Sequence, residues 1–170
     1  MSVLEHKKEA PKSVRCMVIT VSDTRTEETD KSGALMRTLL QEHGHEVMNY
    51  LIVKDEQAEI KRAIIMGCLD EKVDVILING GTGIAKRDVT IETVQEIIEK
   101  EMVGFGEIFR MLSYTEDIGS AAILSRAIAG VAMGKAIFST PGSSGAVKLA
   151  MNKLILPELT HVVREIRKNK

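Results

Sequence analysis

The chain has 170 residues, of which 44% are hydrophobic and 28% are charged, and its formal net charge is −1. This length and composition predict one ordinary globular domain. The near-neutral charge and the lack of a long basic run argue against a nucleic-acid partner, because such a partner requires clustered Lys and Arg.

The amino-terminal segment is polar and predicts no packed structure. Residues 1–12 lack the apolar core of a signal peptide or of a membrane span. We therefore expect a disordered arm before a single domain over residues 13–170, in a cytoplasmic protein with no membrane partner. Cys16 and Cys68 are far apart in the chain and have no set of histidines near them, which predicts buried, reduced thiols.

Strand and helix patterns alternate through the rest of the chain. Apolar, β-branched runs predict strands at residues 14–21, 47–53 and 73–78. Helical periodicity is found at residues 32–43, behind Asp55, behind Thr90, from Phe105 to Leu112 and at residues 121–129. Residues 131–139 predict a hairpin that turns at Gly134 and Lys135, and a last helix from about residue 146 is expected to kink or divide at Pro157.

This alternation is typical of an α/β fold with a mostly parallel sheet, apart from the late hairpin. In such sheets the ligand crevice lies outside the carboxyl ends of the strands. Loops with polar residues or glycines leave predicted strand ends at residues 22–24, 80–88 and 140–145. We therefore expect the three loops to line the same edge of the sheet.

The second of these loops has three glycines in four positions, directly after a buried strand. Gly80, Gly81 and Gly83 would let backbone N–H groups approach an anion, and the Thr82 hydroxyl adds a donor. A tight turn without a ligand is the alternative. The pattern fits neither the dinucleotide fingerprint nor the P-loop.

Charged residues near these loops suggest a phosphate site with a metal ion. Arg87 can bind phosphate oxygens through two parallel hydrogen bonds. Asp55 and Asp88 would repel a phosphate unless a cation such as Mg²⁺ lay between them. The alternatives are a solvated turn for Arg87 and helix capping for the aspartates. The four histidines show no metal-ligand spacing, and we predict no role for them.

The third loop precedes a predicted helix. Pro141, Gly142 and Ser143 would place helix N–H groups and the positive end of the helix dipole beside an anion. A plain cap of the helix by Ser143 is the alternative.

Six short motifs in order resemble one known family. They are VITVSDT (18–24), KDEQ (54–57), GGTGIAKRDVT (80–90), GFGE (104–107), ILSR (123–126) and TPGS (140–143). The combination resembles the molybdenum cofactor biosynthesis proteins of the MoaB and MogA type, over about residues 13–166. The length and the TPGS motif are closer to the B-type members.

This resemblance implies a three-layer α/β/α subunit that assembles into a homotrimer or homohexamer. It further implies that the protein binds molybdopterin and transfers AMP from ATP to the terminal phosphate of the pterin, with Mg²⁺. The implied catalytic and metal-binding residues are Asp55 and Asp88. The implied phosphate-binding residues are Ser22, Asp23, Gly80, Gly81, Thr82, Gly83, Arg87, Pro141, Gly142 and Ser143, and the implied pterin-binding residues are Ser113, Ser125 and Arg126.

Two other functions stay open at this point. One is a non-catalytic oligomer that binds or carries molybdopterin, and the other is an unrelated sensor of small anions. The presence of both Asp55 and Asp88 favours the enzyme, because pterin binding alone gives no reason to keep two carboxylates beside phosphates.

Overall fold

The computed structural model describes residues 2–168, which form a mixed sheet of six strands with helices on both sides. The strands are β1 (Arg15–Val21), β2 (Glu46–Val53), β3 (Val75–Asn79), β4 (Lys100–Glu101), β5 (Ile128–Ala132) and β6 (Lys135–Thr140). Their order across the sheet is β2-β1-β3-β6-β5-β4. The first four strands in this order are parallel, while β5 runs antiparallel to β6 and to β4. The predicted parallel sheet with a late hairpin is confirmed.

Helices cover both faces of the sheet. They are α1 (Val3–Glu9), α2 (Lys31–Glu42), α3 (Gln57–Leu69), α4 (Thr90–Ile97), α5 (Val103–Glu116), α6 (Ser144–Ala150) and α7 (Leu156–Arg167). Successive side chains of a strand point to opposite faces, so Cys16 and Val18 pack with α2, α5, α6 and α7. Met17 and Ile19 pack instead with α3 and α4. The three-layer α/β/α architecture is confirmed.

The amino-terminal segment corrects the prediction of a disordered arm. Residues 3–9 form α1, which begins with a capping box between Ser2 and Glu5. No side chain of α1 is buried, so polar contacts join it to α7, including an ion pair between Lys7 and Glu158. A search for apolar periodicity misses such a helix because its docking is electrostatic.

Two further elements differ from the sequence prediction. The helix expected at residues 121–129 is a 3-10 helix over Gly119–Leu124, and β5 begins soon after it. Of the kink or division expected at Pro157, the division is not observed, because a π-helical turn over Met151–Ile155 joins α6 to α7, and the kink stays a prediction. Proline lacks the N–H that the regular ladder needs, and a π-helical turn accommodates such a gap. Within residues 2–168, no helix is both long and apolar enough to span a membrane.

Candidate functional site

A cleft of about 440 Å³ lies at the carboxyl ends of β1, β3 and β6. The three loops singled out in the sequence meet there, as the topology of a parallel sheet requires. The cleft is lined by Val21, Ser22, Thr24, Arg25, Asp55, Gly80, Gly81, Thr82, Gly83, Asp88, Leu124, Ser125, Pro141 and Gly142. Most of the predicted site residues are thus brought together, while Asp23, Arg87, Ser113, Arg126 and Ser143 are not among its lining residues.

Two residues of the glycine loop, Gly80 and Gly81, have positive φ, which sets the course of the loop. Gly80 has φ of +96°, and a Cβ placed on it would lie 2.2 Å from the carbonyl oxygen of Val21. Its N–H donates to the carbonyl of Thr140 and is not free for a ligand. The N–H groups of Gly81, Thr82 and Gly83 have no protein acceptor among residues 2–168. These three amides are the donors that the loop offers to an anion.

Asp55 lies in a strongly acidic part of the cleft. Its pKa is raised, first by burial and then by the charges of Asp23 and Asp88. Its backbone N–H donates to Asp23 Oδ1 at 3.2 Å, and Arg87 forms an ion pair with the other oxygen of Asp23. Arg87 therefore pairs with Asp23 on the protein surface in this structure, and its binding of phosphate stays a prediction. Asp55 does not cap α3 as the alternative interpretation required, because Glu56 occupies that position.

Asp88 shapes the end of the glycine loop. Its Oδ2 accepts a hydrogen bond from the N–H of Ala85 at 2.9 Å. A Cβ placed on Gly83 would lie 2.6 Å from the same oxygen. Any side chain at position 83 would therefore require the carboxylate of Asp88 to move.

Thr90 lies beside the cleft, although it is not among the lining residues, and sequence reasoning gave it no role in the site. Val89 is the capping residue of α4, and Thr90 Oγ1 is buried without a hydrogen-bond partner among residues 2–168. The position of a Cβ on Gly81 lies 2.2 Å from Thr90 Oγ1 and 3.0 Å from Asp55 Oδ1. An unsatisfied hydroxyl beside crowded carboxylates fits Mg²⁺, which takes oxygen ligands and keeps several of its waters.

Arg25 is the second residue that the sequence did not reveal. It lines the cleft, and its Nη2 donates to the carbonyl of Gly142 at 3.0 Å. The buried carboxylate of Asp30 lies 3.6 Å from its Nη1, and Ser32 Oγ also donates to Gly142, at 2.6 Å. Arg25 thereby holds the third loop and brings a positive charge to the cleft. No local motif in the sequence marks it.

Arg126, which the resemblance assigned to the pterin, supports the glycine loop in this structure. Its guanidinium donates to the carbonyls of Thr82 at 2.9 Å and of Gly83 at 2.6 Å. An ion pair with Glu92 on α4 holds it in place. These bonds give the carbonyls of Thr82 and Gly83 a protein donor and tie the glycine loop to Arg126.

The three serines of the prediction have different environments. Ser125 lines the cleft at the end of the 3-10 helix. Ser143 caps α6, where its Oγ accepts from the N–H of Ala146 at 3.2 Å. Ser113 is buried within α5. Of the three, only Ser125 is among the residues that line the cleft.

Known proteins with similar sequences and structures point to a single family. Residues 17–161 match the family described as "Probable molybdopterin binding domain". The full chain is 69% identical to the full length of molybdenum cofactor biosynthesis protein B of Bacillus subtilis (strain 168). A crystal structure of a molybdenum cofactor biosynthesis protein B superposes with a TM-score of 0.90 at 63% identity, over 93% of this chain and 98% of that one. The tungsten cofactor synthesizing protein MoaB from Pyrococcus furiosus gives a TM-score of 0.83 at 40% identity, over 94% and 100% of the two chains.

Proposed function

The chain belongs to this molybdopterin-binding domain family, and on that premise we propose that it binds molybdopterin in the cleft as a step of molybdenum cofactor biosynthesis. The observation that carries the proposal is the set of three free amides, of Gly81, Thr82 and Gly83, in one cleft with Asp55 and Asp88. Amides of this kind suit the terminal phosphate of the pterin.

We further propose that the cleft transfers AMP from ATP to that phosphate. A phosphate oxygen of the pterin attacks the α-phosphorus of ATP in line. The bond from the α-phosphorus to the bridging oxygen breaks, and pyrophosphate leaves with that electron pair. Protein groups take no covalent part, so positioning and neutralisation of charge supply most of the rate.

Two carboxylates beside phosphates need a compensating cation. Asp55 and Asp88 would hold Mg²⁺, and the hydroxyl of Thr90 lies close enough to Asp55 to bond to a water of that ion. When bound, Mg²⁺ neutralises charge on the ATP phosphates. Arg25 adds a positive charge at the loop that contains Gly142.

We also propose a homotrimer or homohexamer as the working assembly. Exposed apolar side chains lie on α5, on the 3-10 helix next to the cleft and on the segment between them, and they are Val103, Ile108, Met111, Tyr114, Ile118, Ile123 and Leu124. Exposed apolar side chains of this kind are typical of a subunit interface. Light scattering that showed a monomer at micromolar concentration would contradict the assembly.

The experiment that tests the function follows pyrophosphate and adenylylated pterin with molybdopterin, ATP and Mg²⁺. We expect turnover in the native protein and a loss of at least about 100-fold in Asp88→Asn, with the affinity for molybdopterin largely kept. Asp70→Asn, at the far end of α3, is the matched control and is expected to retain full activity. Tight pterin binding without turnover would contradict the transferase and leave a carrier, whereas the absence of pterin binding would contradict both proposals.

A further inference from the structure

A second cluster of metal-ligating side chains lies outside the cleft, where α1 packs on α7. His6 of α1 and His161 and Glu165 of α7 place one ligand atom each within 4.8 Å of one another. None of the three lines the proposed molybdopterin cleft. Spacing along the chain does not reveal this cluster, because its two histidines come from opposite ends of the sequence.

The carboxylate of Glu165 lies between the two imidazoles. Its Oε1 is 3.1 Å from His6 Nδ1 and 3.9 Å from His161 Nε2. His161 and Glu165 are four positions apart and therefore share one face of α7. The two rings meet at an angle of 60° with their centroids 5.9 Å apart, so they are not stacked face to face.

Glu158 fixes the orientation of His161. Its Oε2 lies 2.9 Å from His161 Nδ1, and Lys7 pairs with its other oxygen. When Nδ1 donates to Glu158, the neutral ring keeps the lone pair of Nε2, which is the nitrogen nearer to Glu165. A carboxylate behind a histidine in this way is the usual support of a metal-ligating histidine.

We propose that His6, His161 and Glu165 bind one divalent transition-metal ion of the zinc class, with water in the remaining position. Two imidazoles and one carboxylate are a ligand set that Zn²⁺ accepts. Metal–ligand bonds of about 2.0–2.1 Å require ligand atoms about 3.4 Å apart, so small rotations of the side chains close the site. The side chains are 19%, 19% and 36% exposed, which leaves the ion a path from solvent.

The proposed ion would fasten α1 to the body of the molecule. No side chain of α1 is buried, so the docking of the helix depends on polar groups. Arg164 and Lys168 also pair with Glu165, and a bound ion would compete with these cations for the carboxylate. The site is independent of the proposed function, since none of its ligands belongs to the cleft.

The test is calorimetric titration of the full chain with Zn²⁺ after treatment with a chelator and dialysis. We expect one ion per chain and a fall in affinity of at least about 10-fold in His161→Ala and in His6→Ala. His43→Ala is the matched control, because His43 lies at the end of α2 and its ring bonds to the carbonyl of Leu39 in its own helix. The buried thiols of Cys16 and Cys68 offer no accessible competing site.

Two results would overturn the proposal. One is the absence of stoichiometric binding in the native chain, and the other is binding that persists in His161→Ala but disappears in Asp55→Asn, which would place the ion in the cleft. Titration with Co²⁺ gives a second measurement on the folded protein. The visible bands of a low-coordinate nitrogen and oxygen site are expected in the native chain and in His43→Ala, and they are expected to be lost in Glu165→Gln.

Discussion

At the residue scale, the carboxylate of Asp55 is held in an unfavourable environment. Burial, and then the charges of Asp23 and Asp88, raise its pKa. A raised pKa means that the folded chain holds the proton of Asp55 more tightly than the unfolded chain does. Ionisation of Asp55 therefore lowers the free energy of unfolding once the pH exceeds the pKa of an ordinary aspartate, about 4.

We expect Asp55→Asn to raise the melting temperature of the metal-free protein at pH 7 by about 1–3 °C. The difference from the native chain should shrink as the pH falls and Asp55 takes up its proton in the native chain. Thermal unfolding with a chelator between pH 4 and 8 measures both effects, with Asp70→Asn as the control. A melting temperature at pH 7 equal to or below that of the native chain would contradict this account of Asp55.

A side chain at position 81 would introduce both backbone strain and crowding in the cleft, and a comparison with Gly44 separates the two effects. It has φ of +67°, and a Cβ on it would lie 2.2 Å from Thr90 Oγ1. Gly44 has φ of +80° with no atom within 4 Å of its Cβ position, which makes it a control for the strain alone.

We expect Gly44→Ala to cost about 1–2 kcal/mol of stability and to leave molybdopterin affinity unchanged. Gly81→Ala should cost more and should weaken molybdopterin binding by at least about 10-fold, because the methyl group displaces the loop that carries the free amides. Urea denaturation and equilibrium binding measure the two quantities. If the two variants had equal stability and equal affinity for molybdopterin, the loop at Gly81 would be only a turn.

The sequence predicted the parts of the cleft that local motifs encode. The glycine loop and the aspartates at positions 55 and 88 follow strand ends, and the parallel sheet brings such ends together. Arg25 and Thr90 were missed because their roles arise from contacts across the fold, with Gly142 and Gly81. The ion pair between Arg87 and Asp23 was not predicted, because the two residues are remote in sequence.

At the element scale, the first turn of α2 is tied to the cleft through Asp30. This carboxylate caps α2 by accepting from the N–H of Gly33 at 3.0 Å, and the hydroxyl of Tyr50 donates to its other oxygen. Burial opposes ionisation, but hydrogen bonds from Thr20, Tyr50 and Gly33 outweigh it and lower the pKa of Asp30. The negative charge of the Asp30 carboxylate also forms an ion pair with the guanidinium of Arg25.

Asp30→Ala is expected to cost about 2–4 kcal/mol of stability, because a helix cap and a buried acceptor are lost together. It should also weaken molybdopterin binding, since Arg25 loses the carboxylate that orients it. Tyr50→Phe removes a single donor and should cost only about 1 kcal/mol, with binding preserved. Urea denaturation and pterin titration test both variants, and a stable Asp30→Ala with native affinity would contradict the proposed link.

Helices and strands with apolar periodicity were predicted from the sequence, whereas elements that depend on contacts were not. The short strand β4 is exposed and exists only through its pairing with β5. Helix α1 is held by ion pairs, and the π-helical turn before Pro157 depends on the continuity of α6 and α7. Neither β4 nor α1 has a hydrophobic pattern of its own.

At the scale of the whole molecule, Asp74 joins β1, β3 and the end of α7. Arg15 donates to it through its backbone at 2.8 Å and through its guanidinium at 3.0 Å, and Arg167 adds a bond at 2.6 Å. Burial raises the pKa of Asp74, but these hydrogen bonds and the charge of Arg167 outweigh burial and lower it. The stabilisation is therefore complete above pH about 4 and is lost as the pH falls through the lowered pKa.

We expect Asp74→Ala to lower the free energy of unfolding by about 2–3 kcal/mol at pH 7, because two cations lose their shared partner. The gap from the native chain should begin to narrow as the pH falls below about 4, the pKa of an ordinary aspartate, and should close as the pH falls through the lowered pKa of Asp74 in the native chain. Glu71→Ala is the control, since Arg15 contacts only the backbone carbonyl of Glu71. A gap that did not change with pH would show that packing, and not charge, explains the loss.

We propose that the cleft at the carboxyl ends of β1, β3 and β6 is the molybdopterin site. A crystal structure with molybdopterin, Mg²⁺ and a non-hydrolysable ATP analogue tests it most directly. We predict the terminal phosphate of the pterin on the amides of Gly81, Thr82 and Gly83, with the metal ion bound by Asp55 and Asp88. A pterin bound outside this cleft, or a metal ion that contacts neither aspartate, would contradict the claim.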